Sequence, residues 1–309
     1  MNRRKFLKET LKYSLTASIA LTGVDKLFAA GETLVKDSMI KTPDLIAIKG
    51  STPGKMFEKG IMAMGGMTKF VKKGQKVLVK PNIGWDVAPG LAANTNPELV
   101  STIIRHCYDA GAKKVCVFDH PCDNWQKTYK NSGIEYAVKQ AGGIMAPGSS
   151  KSDYQKVNVP GGKTLKSADV HELLISSDVF INVPILKNHG STKITIGMKN
   201  LMGCVWDRRY WHITNLQQCI ADFAAYRKPD LTVVDAYNVM VENGPRGTGS
   251  SDVVKMQSQI ISTDIVAADA AATKIFGMEP SDIKYIKMAD EKGLGNLNLD
   301  KINVKKIYL

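Results

Sequence analysis

The sequence predicts an α/β protein: a mostly parallel sheet with helices on both faces, three layers deep. Short apolar runs rich in β-branched residues recur at residues 77–80 (VLVK), 114–119 (KVCVFD), 178–184 (DVFINVP) and 230–235 (DLTVVD). Each is bounded by polar or turn residues, the pattern of strands buried on both faces. Segments with helical spacing lie between them, and a strand–helix–strand order favours right-handed crossovers joining parallel strands.

In chain order, residues 44–49 (DLIAIK) read as a first strand. Residues 53–71 read as a helix with Met56, Ile61, Met64 and Met67 on its apolar side, weakened by Gly65 and Gly66; the methionines suit core filling better than a sulfur ligand set. After strand 77–80 comes a loop rich in Gly, Pro and Asn. Asn96 caps the next helix, Pro97 occupies its first turn, and Val100, Ile103, Ile104 and Cys107 make one buried face before Gly111. Strand 114–119 follows. Ser132 and Gly133 divide residues 125–140 into two short helices. Residues 154–165 read as a hairpin turning at Pro160-Gly161-Gly162, and residues 170–176 as a short helix. Strand 178–184 leads into a loop bearing Lys187, Asn188 and His189. Beyond it lie a β-branched segment, a helix capped by Asn215, strand 230–235, a glycine-rich loop at 243–249 and a strand at 256–262. A helix capped by Asp264, a further helix at 280–292 and a terminal edge strand at 302–309 close the chain. No repeat or composition shift divides residues 44–309, which read as a single α/β domain.

The amino terminus has a different character. Asn2-Arg3-Arg4-Lys5-Phe6-Leu7-Lys8 resembles a twin-arginine export motif, and residues 14–24 form a modestly apolar stretch of about 11 residues, too short to span a bilayer. Residues 1–30 therefore read as a signal sequence and residues 31–43 as a linker, placing the protein in the periplasm or on the outer face of the inner membrane. The twin-arginine translocase would be a partner during export. Ala29-Ala30 offers small residues, but Leu27 and Phe28 sit where a second small residue is usual, so cleavage and an uncleaved anchor both remain open.

Net charge is +13, of which the first 30 residues supply six cations against Glu9 and Asp25. The remaining excess favours a small anionic molecule. The lysines are scattered rather than interleaved with aromatics, which argues against nucleic acid. The five cysteines include no CxxC pair, so neither a disulfide scaffold, a zinc ribbon nor an iron–sulfur motif is readable.

Chemistry-bearing residues cluster just after the strands. Lys80 and Asn82 follow one, Asp119 and His120 another, and Lys187 and His189 a third; Lys199, Asn200 and Cys204 come from the segment beyond. Carboxyl ends of parallel strands share one edge, so these groups should meet in one crevice, together with His212. Lys80, Asn82, Lys199, Asn200, Arg208 and Arg246 are candidates for holding a phosphate or carboxylate. His189 and His212 are candidate acid–base groups near neutral pH, with Lys187 beside them. Asp119, His120 and Cys204 could supply metal ligands.

The motifs VLVKPNI (residues 77–83), Asn94-Thr95-Asn96-Pro97, VPILKNH (183–189), MKNLMGC (198–204), the Arg208 to His212 cluster, Asn243-Gly244-Pro245-Arg246-Gly247 and STDIVAAD (262–269) together resemble the domain-of-unknown-function 362 family. Many members of that family also carry a ferredoxin-like module with four-cysteine clusters, which this sequence lacks. The resemblance carries no reaction of its own; the polar groups at the strand ends favour a metal- or cofactor-dependent, redox-related enzyme acting on a small anion, with a separate redox partner. An exported binding protein without chemistry of its own is the alternative from a different class.

Overall fold

The computed structural model describes residues 22–28 and 42–309. Its strands are β1 (Leu45–Lys49), β2 (Lys76–Pro81), β3 (Lys114–Val117), β4 (Ile144–Met145), β5 (Tyr154–Asn158), β6 (Ser167–His171), β7 (Val179–Val183), β8 (Ile185–His189), β9 (Lys193–Thr195), β10 (Leu231–Met240), β11 (Val253–Ser262) and β12 (Val304–Tyr308). Among the described residues the main sheet has ten strands in the order β12-β1-β11-β10-β7-β2-β3-β4, with β8 beside β10 and β9 beside β8. β10, β7, β2, β3 and β4 pair in parallel; β11 runs antiparallel to both β1 and β10. The four strands expected at 77–80, 114–119, 178–184 and 230–235 all lie in this sheet.

Alternation along the strands divides the core in two. Ile46, Ile48, Val77, Val79, Val179 and Ile181 pack against helices Pro53–Ala63 and Pro97–Asp109 on one face. Leu45, Ala47, Leu78 and Phe180 face the other side, toward helices Leu216–Ala224, Ile265–Ile275 and Lys284–Glu291. This is the three-layer α/β arrangement the apolar runs predict.

The caps form as expected. Asn96 accepts from Glu98 N, Asn215 from Gln218 N, and Asp264 from the N–H groups of Val266 and Ala267. Four boundaries differ from expectation. The helix from Pro53 ends at Ala63, because Gly65 and Gly66 take positive φ of 102° and 84°. The hairpin near Pro160 is longer than its sequence pattern: β5 pairs with β6 through His171, so the short helix begins only at Glu172. The segment after Pro184 is a β-hairpin, β8 with β9, and not a loop. Asp235 does not end its strand. Its buried carboxylate accepts from the N–H groups of Asn96 (2.7 Å) and Tyr237 (3.1 Å), fastening the helix cap to β10.

Residues 22–28, within the expected leader, form a helix that buries Val24, Leu27 and Phe28. The Phe28 ring meets Tyr308 edge-on at 5.3 Å, and Lys49 pairs with Asp25 at 3.2 Å. This helix packs at the β12–β1 edge. Arg3, Arg4 and most of the expected linker lie outside the described residues. Among the described residues no helix is long and apolar enough to cross a membrane.

Candidate functional site

The parallel strands aim their carboxyl ends at one crevice. Its walls include Lys80 on β2 and Asn82 just after it, Asp119 after β3, Lys187 and His189 on β8, Thr195 on β9, and Lys199, Asn200 and Gly203 from the short helical segment that follows. Trp85, Cys122, Arg208 and Pro245 complete the rim, and the hollow measures ≈ 60 Å³. That exceeds the ~15 Å³ needed for one water and suits a ligand of a few heavy atoms.

The floor is a closed hydrogen-bond network. Lys80, fully buried, spends its ammonium on Asp119 Oδ1 (2.8 Å), Asn200 Oδ1 (3.0 Å) and the Pro81 carbonyl (2.8 Å). Asp119 is equally committed, accepting in addition from the N–H groups of His120 (2.9 Å) and Ile83 (2.7 Å). Asn200 Oδ1 also accepts from Asn82 Nδ2 (3.0 Å), while its amide nitrogen donates to Asn182 Oδ1 (2.9 Å). Lys187 donates to Asn82 Oδ1 (3.2 Å) and to the Ala93 carbonyl. A buried ion pair whose ammonium has all three N–H groups engaged and whose carboxylate accepts three hydrogen bonds holds its geometry, so this floor is rigid.

Gly203 makes the network possible: a Cβ there would lie 1.7 Å from Asp119 Oδ1. The segment carrying Lys199 and Asn200 is held from below by Asp269, whose carboxyl accepts from Gly197 N (2.7 Å) and Met198 N (3.0 Å). Burial pushes that carboxyl up to about 8. Asp269 is thus a structural anchor for the site.

Above the floor the donors are uncommitted. Lys199 makes no hydrogen bond or ion pair among the described residues, and Thr195 Oγ1 is buried without a partner. His189 Nδ1 accepts from Ser191 N (3.1 Å), leaving Nε2–H as a donor. Burial, joined by the Lys199 and Lys80 charges, brings Lys187 down to about 7. Burial and the neighbouring Arg208 bring Lys199 down to about 8. Burial and the Lys199 and Lys187 charges hold His189 at about 3. The titrating roles are therefore inverted relative to expectation. His189 stays neutral through the physiological range, and two lysines change charge near neutrality.

The profile of the family described as "Domain of unknown function (DUF362)" matches residues 77–274, about two thirds of the chain and all of the crevice. The chain belongs to the DUF362 family. It is 29% identical over 245 residues to the Thylakoid-associated protein sll1697 of Synechocystis sp. (strain ATCC 27184 / PCC 6803 / Kazusa), covering 75% of this chain and 72% of that one. Among solved structures, the lactate racemase apoprotein from Thermoanaerobacterium thermosaccharolyticum aligns with a TM-score of 0.43 at 10% identity. The alignment covers 83% of this chain but only 58% of the racemase.

This DUF362 chain thus brings Lys80, Asn82, Asp119, Lys187, His189, Lys199, Asn200 and Arg208 to one crevice. His212 is exposed on helix Arg209–Ile213, outside the crevice walls, although burial, Lys199 and Arg208 depress its basicity. Arg246 sits further out, paired with Asp123 at 3.2 Å and lying over the Trp85 ring. The expected metal set does not assemble. His120 turns away, its Nδ1 on the Val205 carbonyl (3.1 Å) and its ring stacked on Trp206. Cys204 is buried, its thiol pushed by burial up to about 12, and Asp119 is saturated as described. Among the described residues no group of three or more His, Cys, Asp or Glu is arranged to hold a metal ion. Sequence reasoning missed Asn182 and Thr195. Asn182 alone carried a signal, a polar residue in the middle of an apolar strand.

Proposed function

We propose that this protein is an exported enzyme acting on a small carboxylate- or phosphate-bearing molecule in the crevice at the carboxyl edge of the sheet. One observation carries the reading: above a floor whose only carboxylate among the described residues is already paired with Lys80, the uncommitted groups of Lys199, His189 and Thr195 are donors, and they converge on a hollow of a few heavy atoms with Arg208, which spends one N–H on the Pro121 carbonyl (2.8 Å). A set of donors with cationic members selects an anion with several acceptor oxygens. Lys187, half-deprotonated near neutrality, is the group suited to move a proton or attack an electrophile there. A redox or other cofactor bearing an anionic group would be held by the same cations.

Calorimetric titration with inorganic phosphate and with acetate tests the site. Binding should be measurable and should weaken about tenfold in Lys199→Met, a loss of ~1.4 kcal/mol. Absence of heat with either anion, or equal affinity in the variant, would sink the proposal. A binding protein without chemistry would instead bind anions yet leave every small acid unchanged. Export rests separately on Arg3-Arg4. Replacing both by Lys keeps the charge and removes the guanidinium forks, and it should strand the protein in the cytoplasm. Export unaffected by that change would refute the twin-arginine route.

A further inference from the structure

We propose that Lys187 acts covalently, its amine condensing with the carbonyl carbon of a small oxo acid whose carboxylate is held by Lys199 and Arg208. This rests on the reading of the crevice as an anion site and extends it to a substrate class.

The three lysines of the crevice differ in what they have left to offer. Lys80 donates to Asp119, Asn200 and the Pro81 carbonyl, which leaves it no free N–H group to offer a ligand. Lys199 has no partner and is free to hold an anionic tail. Lys187 is intermediate: Asn82 Oδ1 and the Ala93 carbonyl take two N–H groups, and one tetrahedral position of the nitrogen remains. In the neutral amine that position is the lone pair. Burial keeps a substantial neutral fraction near pH 7, where an ordinary lysine with a pKa near ~10.4 has almost none. Met240, opposite Lys187 in the β10–β8 ladder, and Ala93, whose carbonyl Lys187 meets, belong to a small buried apolar cluster with Ala92 and Ile185.

The second observation is Thr195. In the β8–β9 hairpin Lys187 lies directly opposite Thr195, so the two side chains share one face of the ladder. Thr195 is 3% exposed and lines the crevice, and its buried hydroxyl has no hydrogen-bond partner. An orphaned buried hydroxyl in a protein interior calls for a polar atom to complete it. The oxygen of an oxo acid undergoing attack by Lys187 is such an atom.

The chemistry balances without an external oxidant or reductant. The Lys187 lone pair attacks the carbonyl carbon; the C–N bond forms as the C=O π pair moves to oxygen. A proton passes from nitrogen to that oxygen, giving a carbinolamine whose hydroxyl can bond Thr195. A proton taken up from the medium lets that hydroxyl depart as water while the nitrogen lone pair closes the C=N bond, leaving a protonated imine (an iminium). Water is the only product lost, and hydrolysis reverses the sequence. The iminium acidifies the neighbouring C–H bond, which fits a small-acid enzyme.

The test is reductive trapping on the full chain. The protein is incubated with glyoxylate or pyruvate and cyanoborohydride, and adducts are mapped by peptide mass spectrometry. Lys187 should label at least tenfold faster than the exposed Lys156, and excess inorganic phosphate should suppress the adduct. Lys187→Arg should abolish the adduct, and Thr195→Val, a milder change, should slow labelling severalfold. If phosphate binds but Lys187 labels no faster than Lys156, or Lys199 labels in its place, the imine proposal fails and the anion site stands. If phosphate neither binds nor protects, both readings fail.

Discussion

Lys187→Met offers the sharpest physical test of how the crevice is built. Lys187 is 1% exposed, and burial lowers its amine to about 7. In the unfolded chain it titrates near ~10.4. The folded pKa lies below the unfolded one, so within that window the unfolded state binds a proton that the native state does not. Stability therefore rises with pH across the window, and the cost of burying the charge is present in full below pH ~7. Linkage puts the gain at about 2 kcal/mol between pH 7 and pH 9. Methionine removes this titration while filling similar space. It also leaves Asn82 Oδ1 and the Ala93 carbonyl short of a donor, at roughly 1–3 kcal/mol each and at every pH. The absolute change in stability thus mixes opposing effects, but its pH dependence does not. Urea unfolding of both proteins, in buffers free of phosphate and carboxylate, should show wild type gaining about 2 kcal/mol relative to the variant over that interval. Titration of Lys199 occurs in both proteins and largely cancels. A difference that stays constant with pH would show that Lys187 is not a buried, depressed amine, and the proton-transfer and covalent proposals would lose their basis.

Gly203→Ala should destabilise the protein by about 3 kcal/mol or more, because its Cβ forces apart the buried Lys80–Asp119 pair. Gly190→Ala, with nothing within 4 Å of the added carbon, should be near neutral in the same thermal melts. Asp269→Asn should cost roughly 1–3 kcal/mol, since one of the Gly197 and Met198 N–H groups loses its acceptor. Its penalty should shrink as pH rises toward about 8: the wild-type carboxyl holds its proton more tightly folded than unfolded, so wild type loses stability over that range and the amide does not. Denaturation at acid and alkaline pH would show this, and a penalty growing with pH would contradict it.

Much of the sheet was legible because its strands are buried on both faces and stand out as apolar runs; VLV before Lys80 and VFINV before Pro184 are examples. Convergence of Lys80, Lys187 and Lys199 was legible for a topological reason, the shared carboxyl edge. The β8–β9 hairpin was not. ILKNH mixes apolar and polar residues without clean alternation, and its strand character comes from pairing with β10 as well as β9. The anchoring role of Asp269 was not legible, since its partners Gly197 and Met198 lie 72 and 71 residues away in sequence. The neutrality of His189 was equally hidden: it arises from the charges of Lys199 and Lys187, on separate segments, added to burial. The metal set failed for a similar reason. Asp119, His120 and Cys204 are near in order along the motifs, but Lys80 claims the carboxylate and Trp206 the imidazole.

The charge balance of the crevice ties the proposals together. Lys199 disfavours protonation of Lys187, both lysines disfavour that of His189, and Arg208 and Lys80 disfavour that of Lys199, while Asp119 is already spent on Lys80. An anion entering this field favours the protonated form of whichever lysine it approaches, so binding above neutral pH must take up protons. Covalent attack requires the opposite state at Lys187. The two demands are compatible only if the anionic end is held by Lys199 and Arg208, so that Lys199 takes the proton and its charge keeps Lys187 neutral. The arrangement supplies that separation: Lys199 is partly exposed and unpartnered, whereas Lys187 lies deeper, between Asn82, Ala93 and the unbonded hydroxyl of Thr195. One cation that gains charge on binding and one amine that is kept from gaining it are two halves of a single electrostatic device, and neither half works without the other.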